Sequence, residues 1–329
     1  MNNADAASTL PSPPPPPAPG AIRRAVIDVG TNSVKLLVAD VSGGGVQPLE
    51  ERSEQTRLGR GFYPGRRLQP AAVADTARSV ADFAARAREL GAVGLRVIAT
   101  SAARDAVNPA ELASAIRAAS GLSAEIISGE QEADWVFRGV VTDPAFATEA
   151  LLIVDVGGGS TEFILGEDGR QQFRHSFALG TVRLMEQLTR SDPPTPEEWL
   201  ECRGVLRDLL ERQVQPAIAS ELATFSTHPV KLVGTGGTAS IMARIELGLE
   251  TFDRERIEAL RLTREQVRRQ RERLWSLSLA ERRNLPGLPP DRADVILTGV
   301  PIYETLMERF GFSHLRASTR GLRFAALLD

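Results

Sequence analysis

Between Leu151 and Glu167 the chain reads LLIVDVGGGSTEFILGE, an apolar run rich in β-branched residues that is broken by three glycines and then resumes. A flexible linker would have polar flanks, so the pattern predicts strand, tight loop, strand. Centring the loop on Gly158 and Gly159 sets Asp155 opposite Glu162 by symmetry. The run AVIDVGTNSVKLLVADV, Ala25 to Val41, has the same form and sets Asp28 opposite Lys35. Elsewhere the apolar period changes to that of helices. AAVADTARSVADFAARAREL is an amphipathic helix, LRVIATSAAR a strand leaving into a loop, NPAELASAIRAASG a helix stopped by glycine, and AEIIS a strand. EADWVFRGVV is a helix whose apolar stripe is Ala133, Val136, Phe137 and Val140. EEWLECRGVLRDLLERQVQPAIA reads as one long helix, and VKLVGTGGTAS as strand, Gly-rich turn and helix start. The fold class is therefore α/β.

The two hairpins are a repeat. Asp28-Val-Gly30-Thr-Asn32-Ser33 lies over Asp155-Val-Gly157-Gly158-Gly159-Ser160, and Leu36-Leu-Val over Phe163-Ile-Leu. Repetition of one supersecondary unit at this separation predicts two similarly built lobes, 21–142 and 143–329, behind a tail over 1–20. Their electrostatics differ. Like charges directly opposite on a sheet are destabilising, so Asp155 facing Glu162 makes sense with a cation or a phosphate-bound metal beside them. Glycine lets such a loop turn at positive φ and approach a ligand closely, and successive N–H groups form an anion-binding nest. Gly157, Gly158, Gly159, Ser160 and Thr161 are candidate donors to a phosphate, faced by Asp28, Gly30, Asn32, Ser33 and Lys35. Lys35 stands out because only it and Lys231 are lysines among 39 Lys plus Arg.

In SGEQEADWVFRGV, Ser128 and Gln131 can form a capping box. Glu132 borders the apolar stripe while Glu130 points outward, and partial burial raises a carboxyl pKa into the range of a general base. Arg104 follows the strand VIATS, where it can hold phosphate oxygens or position Glu132.

Composition narrows the setting. With 329 residues, 42% hydrophobic and 25% charged, the chain has the makeup of a soluble globular protein with room for two domains. A net charge of −3 excludes a broad nucleic-acid footprint, so any basic site is small and focused. Cys202 is the only cysteine, which excludes an intramolecular disulfide or a cysteine-based zinc cluster and fits a reducing compartment. His175, His228 and His314 are too scattered for a metal cluster. No run has transmembrane length. The opening MNNADAASTLPSPPPPPAPG lacks the regions of a signal peptide and is expected to be a disordered, Pro-rich tail. The Walker A pattern is absent, which argues against a P-loop NTPase.

Taken in order, the two hairpins, VIATSAAR, EIISGEQEADWVFRGV, FALGTVRLME, VGTGGTAS, RADVILTG and RASTRGLR resemble the exopolyphosphatase and guanosine-pentaphosphate phosphohydrolase family, over about Ile22 to Leu328. The resemblance implies two ribonuclease H-like lobes of the actin, hexokinase and sugar-kinase superfamily with phosphate in the cleft between them. It is a short form without the family's C-terminal helical domains, its last helix expected to pack back on the first lobe. It implies further that Asp155 and Glu162 bind or orient Mg²⁺, with Mn²⁺ as a substitute, that Glu132 is the catalytic glutamate, and that Arg104 stands near the centre. Gly234, Gly236 and Gly237 resemble the superfamily's nucleotide-contacting turn, and Gly236 and Gly237 are candidate substrate contacts. Arg183, Arg292, Arg316, Arg320 and Arg323 are candidates to line a polyanion channel. Two positions depart from the family: Gln131 stands where Glu is common, and Phe324-Ala325 follow GLR where Glu-Gly is common. The implied protein is a cytoplasmic, homodimeric exopolyphosphatase without nucleic-acid or membrane partners. The alternatives are pppGpp 5'-phosphohydrolysis and noncatalytic polyphosphate binding.

Overall fold

The computed structural model describes residues 15–188, 191–225 and 229–329. The expected disorder of residues 1–14 and the placement of His228 lie outside them. Residues 15–20 run exposed to a turn, and Arg23 donates to the Pro15 carbonyl at 2.7 Å.

Strands β1 (Ile22–Val29), β2 (Val34–Ser42), β3 (Gly45–Glu54), β4 (Gly94–Ala99) and β5 (Ala124–Ile126) form a sheet of order β3-β2-β1-β4-β5. The first three are an antiparallel meander, and β4 and β5 run parallel to β1. The second sheet combines β6 (Leu151–Val156), β7 (Thr161–Glu167), β8 (Arg170–Phe177), β9 (Lys231–Thr235), β10 (Arg261–Thr263) and β11 (His314–Ala317) in the order β10-β11-β9-β6-β7-β8. Without the short antiparallel edge strand β10, this sheet repeats the first: meander β6-β7-β8, then β9 and β11 parallel to β6. The hairpin repeat in the sequence is thus the visible part of a whole-lobe repeat.

Three local expectations are corrected. β4 does not leave into a loop; it enters a one-turn helix, Ser101–Asp105. The long helix after the second hairpin is Pro196–Leu209, a π-type turn Leu210–Val214, and Gln215–Thr224. Pro216 explains the widening, since it has no N–H to donate and its ring crowds the carbonyl four residues back. After β9 there is no separate turn: helix Gly236–Leu247 starts at the glycines themselves, with Gly236 at φ +83°.

Each sheet packs helices onto its outer face, and the inner faces share a core. One cluster holds Ile27, Leu36, Val97 and the stripe of helix Pro70–Glu89, and another holds Leu152, Phe163, Leu232 and helix Ile296–Phe310. A third joins the lobes: Val26, Leu37 and Ile98 from the first sheet meet Leu151, Ile153 and Val233 from the second across helix Gly129–Val140 and the C-terminal helix Leu322–Leu328. Burying that much apolar surface on both faces of one helix fixes the direction of its first turn, where Glu132 sits. The C-terminal helix is tied to the first lobe by Arg24 to the Leu327 carbonyl at 2.8 Å and by Trp135 Nε1 to Asp329 at 2.7 Å.

Candidate active site

Both β-hairpins have the register that symmetry requires: Asp28 opposite Lys35 and Asp155 opposite Glu162. Their loops close identically, Gly30 N–H to the Ser33 carbonyl and Gly157 N–H to the Ser160 carbonyl, each at 3.0 Å. The loops face each other at the end of the shared core and border a cavity of about 470 Å³. It is lined by Asp28, Gly30, Asn32, Ser33 and Lys35 from one loop, and by Asp155, Gly157, Gly158, Gly159, Ser160 and Glu162 from the other. Glu132, Gly236 and Gly237 complete one end.

The expected reason for the glycines needs correction. None of Gly30, Gly157, Gly158 and Gly159 has a positive φ. Space decides instead: a Cβ on Gly158 would lie 2.9 Å from Thr31 Cβ, and one on Gly159 would lie 2.8 Å from Thr31 Oγ1 and 2.9 Å from the Tyr63 hydroxyl. The loops are pressed together too closely for side chains. Gly236 alone carries the strained backbone, and a Cβ there would collide with Asp155 Oδ1.

Thr161 does not line the cavity. It is fully buried and its hydroxyl donates to the Leu179 carbonyl at 2.7 Å, so it anchors the strand rather than offering a donor. Arg104 also stays outside the lining; its Nη1 donates to Glu132 Oε2 at 2.9 Å and to the Ile127 carbonyl at 3.2 Å. Its geometry is that of a positioning residue, while Asp105 lies at 4.0 Å. Ser128 Oγ accepts from Gln131 N–H at 3.1 Å, one half of the expected capping box. Glu130 is exposed and Glu132 buried.

Burial dominates the electrostatics. It pushes Glu132 up to about 7 against the opposing pull of Arg104, with Asp155 and Asp28 adding to the rise. It pushes Asp155 up to about 6, opposed by Lys35. Asp28 is raised and Lys35 lowered by the same desolvation, although each favours the other's charged form. Glu162, 1% exposed, is raised well above its ordinary value by burial and by its carboxylate neighbours. Its Oε1 accepts from Ser160 at 2.8 Å and from Ser176 on β8 at 2.7 Å. Gly129, at the start of the Glu132 helix, abuts Ser176 so closely that a Cβ would fall 2.6 Å from it.

The donor set can be tested against Mg²⁺. No group of three or more His, Cys, Asp or Glu side chains among the described residues forms a ready metal cage. Mg²⁺ does not require one, since it takes one or two carboxylates and completes its shell with water and phosphate oxygens. Asp155 is partly exposed to the cavity, and Asp28 Oδ1 is buried without a hydrogen-bond partner. Clustered acids with raised pKa values and an orphaned oxygen are a setting that a hard cation relieves. The residues fit.

The five candidate channel arginines separate cleanly. Arg292 and Arg323 line the cavity. Arg323 donates to the Leu36 carbonyl at 2.8 Å and to Glu51 at 2.9 Å, and Arg292 reaches from the second lobe to Ser53 Oγ at 3.0 Å. Arg183 instead lies behind the second loop, bound to the Gly159 carbonyl and Asp105. Arg316 covers Phe146, and Arg320 bonds the Thr142 carbonyl. Phe324, where the family commonly has Glu, is 2% exposed, borders the cavity and packs under Arg254. Gly234 is held within β9, so of the expected turn only Gly236 and Gly237 face the cavity. His175 is exposed beside Phe177, and His314 is exposed at the start of β11. Sequence reasoning missed Thr31, Gln55, Ser101 and Glu51 in the lining. Only Thr31 carried a signal, since it lies inside the loop motif.

Residues 37–329 match the model of the Ppx/GppA phosphatase family. Exopolyphosphatase 2 of Mycobacterium tuberculosis is 35% identical over 313 residues, which is 90% of this chain and 94% of the relative. Among solved structures, the Aquifex aeolicus member of that family superposes with TM-score 0.74 at 28% identity, covering 94% of this chain and 97% of the other. An exopolyphosphatase from Cytophaga hutchinsonii superposes with TM-score 0.83 at 25% identity, covering 93% and 96%.

Proposed function

The chain belongs to the Ppx/GppA phosphatase family, with the two-lobed fold of the actin-like superfamily and phosphoanhydride hydrolysis as its activity, and from that premise we propose that its substrate is inorganic polyphosphate, shortened one terminal orthophosphate at a time. The observation that carries the reading is Glu132, a buried carboxyl at about 7, facing the same cavity as two apposed phosphate-type loops. The relative at 35% identity, named an exopolyphosphatase, supports polyphosphate over pppGpp.

In this reading the terminal phosphoryl group lies against the Gly157–Ser160 and Gly30–Ser33 loops. The N–H groups of Gly158 and Gly159 have no backbone acceptor among the described residues and are free to donate to its oxygens. Glu132, oriented by Arg104, accepts a proton from water as the water oxygen attacks phosphorus in line. The bridging P–O bond breaks, and its electron pair leaves on the shortened chain. Lys35 and Arg292 stabilise the charge spread over the phosphate oxygens. Asp155 would hold Mg²⁺, with Asp28 and Glu162 beside it, and the ion when bound supplies positive charge against the phosphate oxygens. The paired hydroxyls of Ser160 and Ser176 fix Glu162 at the loop's end.

Phosphate release measured with long polyphosphate, short polyphosphate, pppGpp and ADP tests this. Long polyphosphate should give the largest kcat/KM. Glu132→Gln should lower kcat by roughly 10²- to 10⁴-fold with polyphosphate binding retained. A preference for pppGpp would overturn the substrate assignment, and a folded Glu132→Gln variant within about threefold of wild type would overturn the general base.

A further inference from the structure

An enzyme that removes the terminal unit of a chain has a geometric problem. In the proposed reading the released orthophosphate would lie at the loop end of the cleft while the remaining polyphosphate fills its mouth. Processive removal then requires somewhere else for the product to go. Against the first loop lies a second cavity of about 280 Å³, lined by Asn32, Arg57, Arg60, Val182, Met185, Arg283 and Asp294. Asn32 borders both cavities.

Three guanidinium groups stand in the second cavity against one carboxylate, a formal excess of two positive charges. Asp294 is taken by Arg57, which also donates to the Asp291 carbonyl at 3.4 Å. Arg60 and Arg283 are exposed and carry no ion pair among the described residues. The volume falls just below the usual range of ligand pockets and holds a small anion with room to spare. Guanidinium forks match tetrahedral oxyanions in shape and charge.

The wall between the two cavities is built from both phosphate loops. Arg57 N–H donates to the Asn32 carbonyl at 3.0 Å and Gly59 N–H to the Thr31 carbonyl at 2.7 Å, while Val182 N–H donates to the Gly158 carbonyl at 2.9 Å. Arg57 has φ +52°, a left-handed backbone that an arginine adopts only where its surroundings impose it. Those two hydrogen bonds and the Asp294 pair impose it here, and they aim the side chain into the pocket. Strain kept in this way collects at functional positions.

We propose that the Arg57–Arg60–Arg283 pocket is an orthophosphate site that binds the cleaved product while the shortened chain stays in the cleft. The inference rests on the exopolyphosphatase reading for its source of orthophosphate, though not for the site itself.

The test uses equilibrium dialysis of radiolabelled orthophosphate against the full-length Glu132→Gln protein, with and without saturating long polyphosphate. One orthophosphate should remain bound when polyphosphate occupies the cleft. Adding Arg60→Ala and Arg283→Ala, both surface changes, should weaken that binding by roughly tenfold or more, as expected for loss of charge-assisted hydrogen bonds. In the active enzyme the same pair should leave the first turnover in rapid quench unchanged and slow the steady state on long chains. Binding abolished by polyphosphate, or indifferent to both arginines, overturns the site. If the wild-type chain releases no phosphate from polyphosphate, the substrate assignment fails. The pocket is then judged on orthophosphate binding to the wild-type and doubly substituted proteins alone, where equal affinities overturn it.

Discussion

Replacing Arg104 with methionine separates two roles that the sequence leaves open, a phosphate clamp and a positioner of the base. The guanidinium Nη1 stands 2.9 Å from Glu132 Oε2, with side-chain exposures of 22% and 12%. Coulomb's law at an effective dielectric of 20 bounds that pair at about 6 kcal/mol before residual solvent is counted. An opposite charge this close ordinarily lowers a carboxyl by roughly 1–3 units, so two units, about 2.7 kcal/mol, is a reasonable discounted value. Glu132 sits at about 7 with Arg104 in place. Without it the carboxyl should move up by roughly that much. The base works only when ionised, so the rate climbs with pH through the folded-state pKa, and the acid limb should move upward by that shift. Bound Mg²⁺ would lower both limbs alike, so at a pH on the acid limb the displacement costs up to roughly 100-fold in kcat, recovered as pH rises.

The assay is kcat for phosphate release from pH 5.5 to 9.5 at saturating polyphosphate and Mg²⁺, with Arg104→Lys alongside. Lysine restores the charge and should bring the limb most of the way back. A clamp on phosphate would behave differently, raising KM and leaving the limb where the wild type has it. An unmoved limb in a folded Arg104→Met protein would refute the positioning argument, whatever the loss of activity.

EDTA should abolish turnover and Mg²⁺ restore it. Because Asp155 lies at about 6 and gains its charge as pH rises, the increase in Tm on adding Mg²⁺ should be larger at pH 8 than at pH 6; equal shifts would remove Asp155 as a ligand. Gly139→Ala puts a Cβ 2.6 Å from the Gly321 carbonyl carbon, at the contact between helix Gly129–Val140 and the C-terminal helix. It should cost roughly 1–3 kcal/mol, read as a clear fall in Tm, and an unchanged Tm would show that the helices part freely. Deleting residues 1–20 removes the Arg23 bond to Pro15, worth about 1 kcal/mol; a Tm loss beyond about 4 °C would show that the tail docks on the body.

What was legible in the sequence follows from the range of the interactions. Hairpin register is local, and a loop set symmetrically between two apolar runs placed Asp155 against Glu162 and Asp28 against Lys35 correctly. The burial of Glu132 was legible because the stripe of its own helix points inward. The choice between the two roles open to Arg104 was not, since its bond to Glu132 joins residues 28 positions apart through two separate elements. Nor was the choice among arginines. With 39 Lys plus Arg in the chain, type alone selects nothing, and only the fold shows Arg292 crossing from its own lobe to Ser53, 239 positions away. Positive φ was the wrong reason for the loop glycines, because close apposition of two loops is a tertiary fact that a single hairpin does not contain.

In the proposed reading the repeat also explains why the site would need a cation to arrive with its substrate. Two copies of one hairpin could have presented two identical loops to a polyanion, and the first copy does so favourably, with Lys35 beside Asp28. In the second copy the position equivalent to Lys35 is Glu162, buried to 1% and held by two serine hydroxyls. Asp155, Glu162 and Glu132 therefore crowd the end of the cavity where the scissile phosphate would lie, and each has its charge disfavoured by burial. A phosphate brought there alone would meet acids that must either stay protonated or repel it. Protonation would silence Glu132 as a base, so neutrality by protons and catalysis are in conflict. Neutrality by a divalent cation on Asp155 removes the conflict, because it lowers the carboxylate pKa values and attracts the phosphate oxygens together. In that reading the acidic copy of the loop is the part that makes hydrolysis conditional on metal, and the basic copy the part that holds the chain in place.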